Sequence, residues 1–231
     1  MDVFVAKLND ASLGSAERHA LADTNAGIAT YRRGQTIVAE DAHPQQLHLV
    51  SRGWAARSRS LENGSRQTTD FVIPGELCDL SALGSGPMEK VVALTPLQAV
   101  LLDRTALLAA MARHPKLATA LLRLAFNEQA VLRVWLTCLG QLRKHEHLAH
   151  LFCELHERLR RAGLADDHEF ELPLTQDQLG EALGMTSVHT NRVLQRLRHE
   201  GLVDLGDHHL RILHPRQLRD IAAFDAAYLN T

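Results

Sequence analysis

Short apolar runs separated by turn residues dominate the first half of the chain. Between residues 28 and 102 these runs are rich in β-branched and aromatic side chains, as in TIVA at residues 36–39 and TTDFVI at residues 68–73. After Gly53 the turn signals recur about every 11 residues, which is the spacing of short strands in a sandwich or barrel. The pattern predicts a small antiparallel β domain.

The middle of the chain, from residue 105 to residue 163, has a helical pattern. Pro115 is placed to open a long helix whose next breaker is Gly140, and a more charged helix follows over residues 142–161. One row of the long helix recurs at alternating spacings of three and four, as in a coiled coil. That row is Leu121, Leu124, Glu128, Val131, Trp135 and Cys138.

We expect that row to form a dimer interface. A second apolar row on the same helix would then pack on the β domain. The second row is Leu122, Leu132, Leu136 and Leu139. Packing of the first row on the chain's own β domain is the alternative.

Two short helices joined by a tight turn are predicted over LTQDQLGEALGMTSVHTNRVLQRLRHEG at residues 174–201. Thr175 and Gln178 have the spacing of a capping box, Gly184 supplies the turn, and Thr186 caps the second helix. Residues 202–205 and 209–213, with Gly206 and Asp207 between them, read as a following hairpin.

The second of these helices has a core face and a polar face. At 100° per residue its core positions fall in one sector, and they are Thr190, Val193, Leu194 and Leu197. Arginine and asparagine side chains on the other side match the major-groove edges of guanine and adenine. The predicted DNA-contacting residues are Thr175, Gln176, Thr186, Ser187, Val188, His189, Asn191, Arg192, Gln195 and Arg196.

Composition and charge exclude some classes of protein but do not define the function. The chain has 45% hydrophobic and 23% charged residues and a formal net charge of −2, so any phosphate-binding surface must be local. No apolar run reaches the roughly 18 residues of a membrane span, and no secretion-signal pattern begins the sequence. We therefore expect a cytoplasmic protein without a membrane partner.

Metal and enzyme motifs are weak or absent in the sequence. The three cysteines, Cys78, Cys138 and Cys153, form no CxxC pair, and we expect them to be reduced and mostly buried. His147 and His150 share a helical row with Cys153, but a solvated polar row is the favoured interpretation and no metal is predicted. No phosphate-loop, HExxH, GxSxG or GxGxxG motif is present, so we expect no enzyme.

Three segments of the chain carry a family resemblance. They are YRRGQTIVAE at residues 31–40, SLENGSRQTTDFVIPGELCDL at residues 60–80 and LTQDQLGEALGMTSVHTNRVLQRLRHEGL at residues 174–202. Together they resemble the Crp-Fnr superfamily of bacterial transcription regulators. The resemblance implies an α+β fold with an amino-terminal antiparallel β-roll of the cyclic-nucleotide-binding type, a long dimerisation helix and a carboxy-terminal winged helix-turn-helix. The corresponding domains are residues 1–114, 115–165 and 166–231.

The resemblance also points to an effector site with departures from the family pattern. Pro-Gly-Glu-Leu at residues 74–77 is similar to the family's phosphate-binding cassette. The Arg-Ser pair of the cyclic-AMP-binding branch falls on Pro87 and Met88, which offer neither charge nor hydroxyl, so cyclic AMP is not expected. The cassette is then either structural or a site for another ligand. The candidate effector pocket is Gly75, Glu76, Leu77, Cys78, Met88 and Lys90.

Other implications concern the cofactor, the operator and the partners. The oxygen-sensing branch has a cysteine cluster before the β-roll, whereas the first cysteine here is Cys78, so no iron–sulfur cluster is expected. In the family, DNA is read from positions that map to Ser187, Val188, Asn191 and Arg192. Arg192 matches a guanine reader, while Val188 replaces a glutamate. The resemblance implies a homodimer on a near-palindromic operator, with RNA polymerase and a small-molecule effector as further partners. The alternative is an adaptor that regulates a partner protein without binding DNA.

Overall fold

The chain forms two compact units in the computed structural model, which describes residues 4, 13–40, 42–84 and 89–229. The units are Met1–Phe126 and Asn127–Thr231, and their division falls inside the longest helix. The domain boundaries at residues 115 and 166 stay a prediction.

Two antiparallel sheets form the first unit. Its elements are α1 Ser15–Ala22, β1 Asn25–Tyr31, β2 Thr36–Val38, β3 Gln46–Arg52, β4 Ala55–Ser60, β5 Arg66–Val72, β6 Lys90–Ala93 and β7 Leu97–Asp103. One sheet has the strand order β1-β7-β3 and the other β2-β6-β4-β5. All pairs in both sheets are antiparallel, as the turn spacing predicts.

The tight connection between β3 and β4 depends on Gly53. Its φ is 84°, and a Cβ atom at this position would lie 2.4 Å from the carbonyl oxygen of Pro96. Only glycine tolerates both the positive φ and the close approach of the neighbouring backbone. The two strands therefore leave this turn with their apolar side chains directed into the core of the unit, where Leu47, Leu49 and Ala55 are fully buried.

Three helices follow the β-roll. They are α2 Arg104–Arg113, α3 Pro115–Gln141 and α4 Lys144–Arg161. Asp103 ends β7 and caps α2, since its side chain accepts the N–H of Ala106 at 2.7 Å. Pro115 begins α3 as predicted, because a helix needs no N–H donor at its first position.

Burial along α3 reverses the roles predicted for its two apolar rows. Leu121 lies in the core of the first unit with 2% of its surface exposed, and Trp135 and Cys138 are buried in the second unit. The assignment of these three residues to a dimer interface is therefore wrong, because the chain itself covers their surfaces. The other members of that row, Leu124, Glu128 and Val131, are half-buried.

The row predicted to pack on the β domain is instead exposed. Leu122, Leu132 and Leu136 are 54%, 42% and 72% exposed, and Phe126 beside them is 53% exposed. Both rows have the same spacing and lie about 100° apart on the helix, so periodicity alone does not tell which one faces the core.

The second unit contains the predicted pair of short helices and the hairpin. Its further elements are β8 Glu169–Glu171, α5 Gln176–Leu183, α6 Ser187–His199, β9 Val203–Gly206, β10 His209–Ile212 and α7 Pro215–Ile221. The three strands form a sheet in the order β8-β10-β9. The hairpin turn is one residue later than predicted, at Asp207 and His208, which both have positive φ as in a type I′ turn.

A buried carboxylate links the end of α3 to the rest of the second unit. Glu154 on α4 is fully buried and accepts the indole N–H of Trp135 at 3.0 Å. It also accepts the hydroxyl of Tyr228 at 2.6 Å and pairs with Arg158 at 3.2 Å. Three donors therefore stabilise one buried negative charge, which is the condition under which a buried charge is tolerated.

Candidate nucleic-acid interface

The turn between α5 and α6 is built from short-range hydrogen bonds that the sequence encodes. The hydroxyl of Thr175 accepts the N–H of Gln178 at 3.2 Å, and the side chain of Gln178 accepts the N–H of Thr175 at 2.8 Å. Gly184 ends α5 in the left-handed conformation with φ 61°. Thr186 then begins α6 by accepting the N–H of His189 at 3.3 Å. The predicted capping box, glycine turn and second cap are confirmed.

Gly180 lets the two helices approach each other. A Cβ atom at this position would lie 2.6 Å from the carbonyl oxygen of Met185 and 3.0 Å from the hydroxyl of Thr190. The N–H of Met185 donates to the carbonyl of Gly180 at 2.9 Å, which holds the turn against α5. The angle between the helices therefore depends on the absence of a side chain at Gly180. This role of Gly180 was not assigned from the sequence.

Helix α6 has the core face predicted from its periodicity. Thr190, Val193, Leu194 and Leu197 are all buried. The hydroxyl of Thr190 donates to the carbonyl of Thr186 at 3.0 Å, so the buried polar residue has a partner inside the helix. The orientation of α6 is thereby set by packing, and its opposite face is left to solvent.

The predicted DNA-contacting residues lie on or beside that solvent face. Exposed members are Gln176, Thr186, Val188, His189, Asn191, Arg192, Gln195 and Arg196, while Thr175 and Ser187 are half-buried. Val188, at 71% exposure, is an apolar side chain presented to solvent in the first turn of α6. A duplex that contacts this face would meet the amino-terminal half of the helix, as in other helix-turn-helix proteins.

The cations of α6 differ in how far they are engaged. Arg192 has no hydrogen bond or ion pair among the described residues. Arg196 donates to Glu200 at 2.8 Å, and Arg198 lies 3.5 Å from Asp204 on β9. A guanidinium without a partner loses no ion pair when it binds a base, so Arg192 is the arginine best placed for base recognition. The Arg198–Asp204 pair, which ties α6 to the hairpin, was not foreseen from the sequence.

The phosphate-binding cassette of the β-roll uses its own hydrogen-bonding groups internally. Two N–H groups bond within the cassette: that of Ile73 donates to Glu76 Oε2 and that of Glu76 donates to the carbonyl of Ile73. Two others donate to carbonyls of β3, Gly75 to Val50 and Cys78 to His48, and all four distances are 2.8–3.1 Å. Leu77 and Cys78 are buried, and Lys90 is half-buried on β6. Met88, also assigned to the candidate effector pocket, lies outside the described residues.

The polar groups in the described part of this site are engaged within the chain. The buried Arg57 donates to the carbonyl oxygen of Cys78 at 3.2 Å and faces Asp70 at 3.8 Å. The hydroxyl of Thr69 donates to Glu89 at 2.8 Å. The cation and the hydroxyl are therefore committed to carboxylates or carbonyls, and the four amides of the loop are bonded as well, so a phosphate would have to displace existing bonds.

The cysteines and core histidines of the second unit are shielded from solvent. All three cysteines are buried, as predicted, and form no disulfide among the described residues. Burial raises the pKa of the Cys153 thiol to about 12, while burial and the charge of Glu154 raise that of Cys138 to about 11. Burial, with Lys144 and His150 nearby, lowers the pKa of His147 to about 4. The row that contains His147, His150 and Cys153 is thus buried and not solvated as expected, and no cluster of three metal-ligating side chains occurs among the described residues.

The folds and the exposed face of α6 define a class of protein. A β-roll followed by a long helix and a winged helix-turn-helix is the architecture of a DNA-binding transcription regulator. Two family models match the chain in this order, the cyclic nucleotide-binding domain over residues 28–114 and the Crp-like helix-turn-helix domain over residues 146–221. The chain belongs to the Crp-Fnr superfamily of bacterial transcription regulators.

Curated relatives agree with this assignment over most of their length. The transcriptional activator protein FnrL of Cereibacter sphaeroides is 24% identical over 201 residues, which cover 85% of this chain and 81% of the relative. The nitrogen fixation regulation protein FixK of Rhizobium meliloti is 27% identical over 195 residues, covering 84% and 86%.

Solved structures show the same fold. FixK2 from Bradyrhizobium japonicum superposes with a TM-score of 0.76 at 25% identity, covering 87% of this chain and 98% of that one. A CRP-family regulator from Thermus thermophilus has a TM-score of 0.66 at 20% identity, covering 86% and 100%. None of the described helices is both long and apolar enough to cross a membrane.

Proposed function

We propose that this regulator acts as a homodimer on a near-palindromic operator. The observation that carries the proposal is the single-sided face of α6, where Asn191 and Arg192 are exposed opposite a fully packed core face. Two such helices related by a two-fold axis would enter successive major grooves about 34 Å apart. The protein would act by binding and not by catalysis, in the cytoplasm, where its DNA target lies.

The exposed apolar row of α3 supports the homodimer. Leu122, Leu132 and Leu136 continue the spacing of three and four through Ala125, Gln129 and Leu139. A second copy of the same helix has the matching spacing, so the row is self-complementary about a two-fold axis. Large exposed leucines in a row of this length mark an association surface in a soluble protein.

Val188 supports an operator that differs from those of the glutamate-bearing branches. Its exposed methyl groups can contact a thymine methyl, but they accept no hydrogen bond from cytosine. Arg192 would keep a guanine contact. We further propose that the effector is not cyclic AMP, because the cassette's donors are bonded within the chain. RNA polymerase is a further proposed partner, as the family resemblance implies.

Selection of duplexes from a random library tests this function. We expect enrichment of a near-palindrome with one guanine per half-site and a thymine at the base next to Val188. The Val188→Glu variant, selected in parallel, should shift that base toward cytosine while the guanine stays. Recovery of no sequence by either protein would contradict DNA binding and favour the adaptor alternative. Recovery of identical sites by both proteins would contradict the role of Val188.

A further inference from the structure

The DNA-binding end of the chain carries an excess of negative charge. Residues 166–231 contain six arginines, no lysine and eleven acidic residues, a formal charge of −5 with histidine neutral. Such a segment repels a polyphosphate unless positive charge is gathered locally. The same segment contains six histidines, so its charge changes more steeply with pH than that of an arginine- and lysine-rich domain.

Most of these arginines are committed to carboxylates. Four of the six form ion pairs, and a phosphate contact by any of them competes with the carboxylate that it already binds. The pairs are Arg196–Glu200 at 2.8 Å, Arg198–Asp204 at 3.5 Å, Arg211–Glu169 at 2.9 Å and Arg219–Glu157 at 3.9 Å. Within residues 166–229 only Arg192 and Arg216 have no ion-pair partner, so side chains other than arginine are candidates for additional phosphate contacts.

The hairpin after α6 places a histidine among these carboxylates. On β10, Arg211 lies opposite Asp204 on β9 and opposite Glu169 on β8. His209, two residues earlier and therefore on the same face, lies opposite Gly206 on β9 and opposite Glu171 on β8. On the exposed face of this sheet, the permanent cation of Arg211 therefore lies between two carboxylates. The imidazole of His209 occupies the equivalent position two residues earlier on β10.

The turn adds a second imidazole at the tip of the hairpin. His208 is exposed, and the positive φ values of Asp207 and His208, 48° and 62°, make the tight reversal. The N–H of Leu172 donates to the carbonyl of His208 at 2.6 Å, which ties the turn to the end of β8. Nδ1 of His209 lies 3.1 Å from the carbonyl oxygen of Asp207, and because a carbonyl can only accept, Nδ1 is the donor of this hydrogen bond.

Protonation changes the charge of the hairpin sheet substantially. The charged residues of β8, β9, β10 and the turn are Glu169, Glu171, Asp204, Asp207 and Arg211, a charge of −3 with neutral imidazoles. With His208 and His209 both protonated this charge becomes −1. Other titratable or charged groups beside the sheet include Arg198 and His199 on α6 and His156 on α4, whose ring contacts Phe170 of β8. Before β8, the N–H of Asp166 donates to the carbonyl of Glu169, and the carbonyl of His168 accepts the N–H of Ile212.

We propose that the hairpin is a proton-dependent contact for DNA phosphates, with His208 and His209 as its ligands. The inference rests on the proposed DNA-binding function and names a further part of the same interface. When the imidazoles are neutral, the carboxylates of the sheet repel phosphates. When they are protonated, each offers a charged N–H donor to a phosphate oxygen. The complex then binds more protons than the free protein, so DNA affinity rises as the pH falls.

Fluorescence anisotropy at constant ionic strength tests this proposal with two probes, a selected operator duplex and a random-sequence duplex of the same length. The parent protein should bind both probes about tenfold more tightly near pH 6 than near pH 7.5. The double variant His208→Gln with His209→Gln should lose this dependence and keep the weaker affinity. The double variant His208→Lys with His209→Lys should bind tightly at both pH values.

A matched control separates the hairpin from the other histidines. His43→Gln changes an exposed histidine of the first unit and should leave the pH dependence intact. A flat pH profile of the parent on both probes, or an undiminished profile in the glutamine double variant, would overturn the inference while leaving the proposed function standing. Absence of binding to either probe at every pH would overturn the proposed function and this inference together. Far-ultraviolet circular dichroism confirms that each variant is folded at both pH values.

Discussion

In the second unit, some residues stabilise the buried interior, whereas others are exposed and available to bind a ligand. Glu154 is buried with three donors, and its removal would cost the buried Arg158 an ion pair and leave the donors of Trp135 and Tyr228 without this acceptor. Arg192, by contrast, is exposed and forms no hydrogen bond or ion pair among the described residues. Because the structure shows no stabilising hydrogen bond or ion pair for this side chain, we expect its substitution to affect binding and not folding.

Arg192→Ala should therefore change recognition and leave stability unaltered. We expect the affinity for the selected operator to fall by about 1–3 kcal/mol, with the preference for one guanine lost, because one bidentate base contact disappears. Competition binding against duplexes that vary at each position measures both effects.

Arg196→Ala is the matched comparison for that experiment. Its guanidinium is bound to Glu200, and as a phosphate contact it should weaken all sequences alike. A uniform loss across all sequences for Arg192→Ala as well would contradict its role in reading a base.

At the scale of elements, the helix pair α5 and α6 is positioned by the gap at Gly180 together with the caps at Thr175 and Thr186. Lys144 at the start of α4 also donates to the carbonyl of Leu183 at 2.8 Å, which satisfies a free carbonyl at the end of α5. The angle at which α6 is presented thus follows from backbone contacts that a small side chain would disturb.

Gly180→Ala should destabilise the second unit by about 1–3 kcal/mol, because the added methyl group meets the carbonyl of Met185 at 2.6 Å and the helices must separate. Urea unfolding followed by circular dichroism measures the free energy, and operator binding should weaken in parallel.

Gly140→Ala is the control, since this glycine of α3 has no atom within 4 Å of an added Cβ. It should leave the unit unchanged or stabilise it by about 0.5–1 kcal/mol through helix propensity. Equal destabilisation by both substitutions would show that the helix contact at Gly180 is not the cause.

At the scale of the whole molecule, the exposed row of α3 is the feature that a single chain leaves unexplained. Leu122, Phe126 and Leu136 are each more than half exposed on a helix of 27 residues. Burial of the exposed part of such side chains against a second copy would favour association.

If the proposed dimer forms on this row, Leu136→Glu should convert it into a monomer, because two like charges would be placed in the interface. Sedimentation velocity measures the mass in solution, and operator affinity should fall with the loss of the two-fold partner. Leu164→Glu is the control, as this leucine is 44% exposed in the loop after α4, outside the row. A Leu136→Glu variant that sediments like the parent would contradict the interface on this row.

The sequence by itself determined the features that depend on short-range chemistry. The capping box at Thr175, the turn at Gly184 and the core face of α6 follow from hydrogen bonds and periodicity within a few residues, and each was predicted in place. The strands and turns of the first unit were likewise predictable from local apolar runs and turn residues. The family resemblance predicted the order of the β-roll, the long helix and the winged helix-turn-helix along the chain.

Only the tertiary structure decided which surfaces are free. The two rows of α3 have equal periodicity, and the burial of Leu121 and Trp135 assigns one of them to the chain's own units. Two of the four N–H donors of the cassette, those of Gly75 and Cys78, donate to carbonyls of β3 that are more than 20 positions away in sequence. The strand neighbours of His209 likewise depend on strand pairing. Periodicity is a local property, whereas burial, ion pairing and spare hydrogen-bonding capacity depend on residues that meet only after folding.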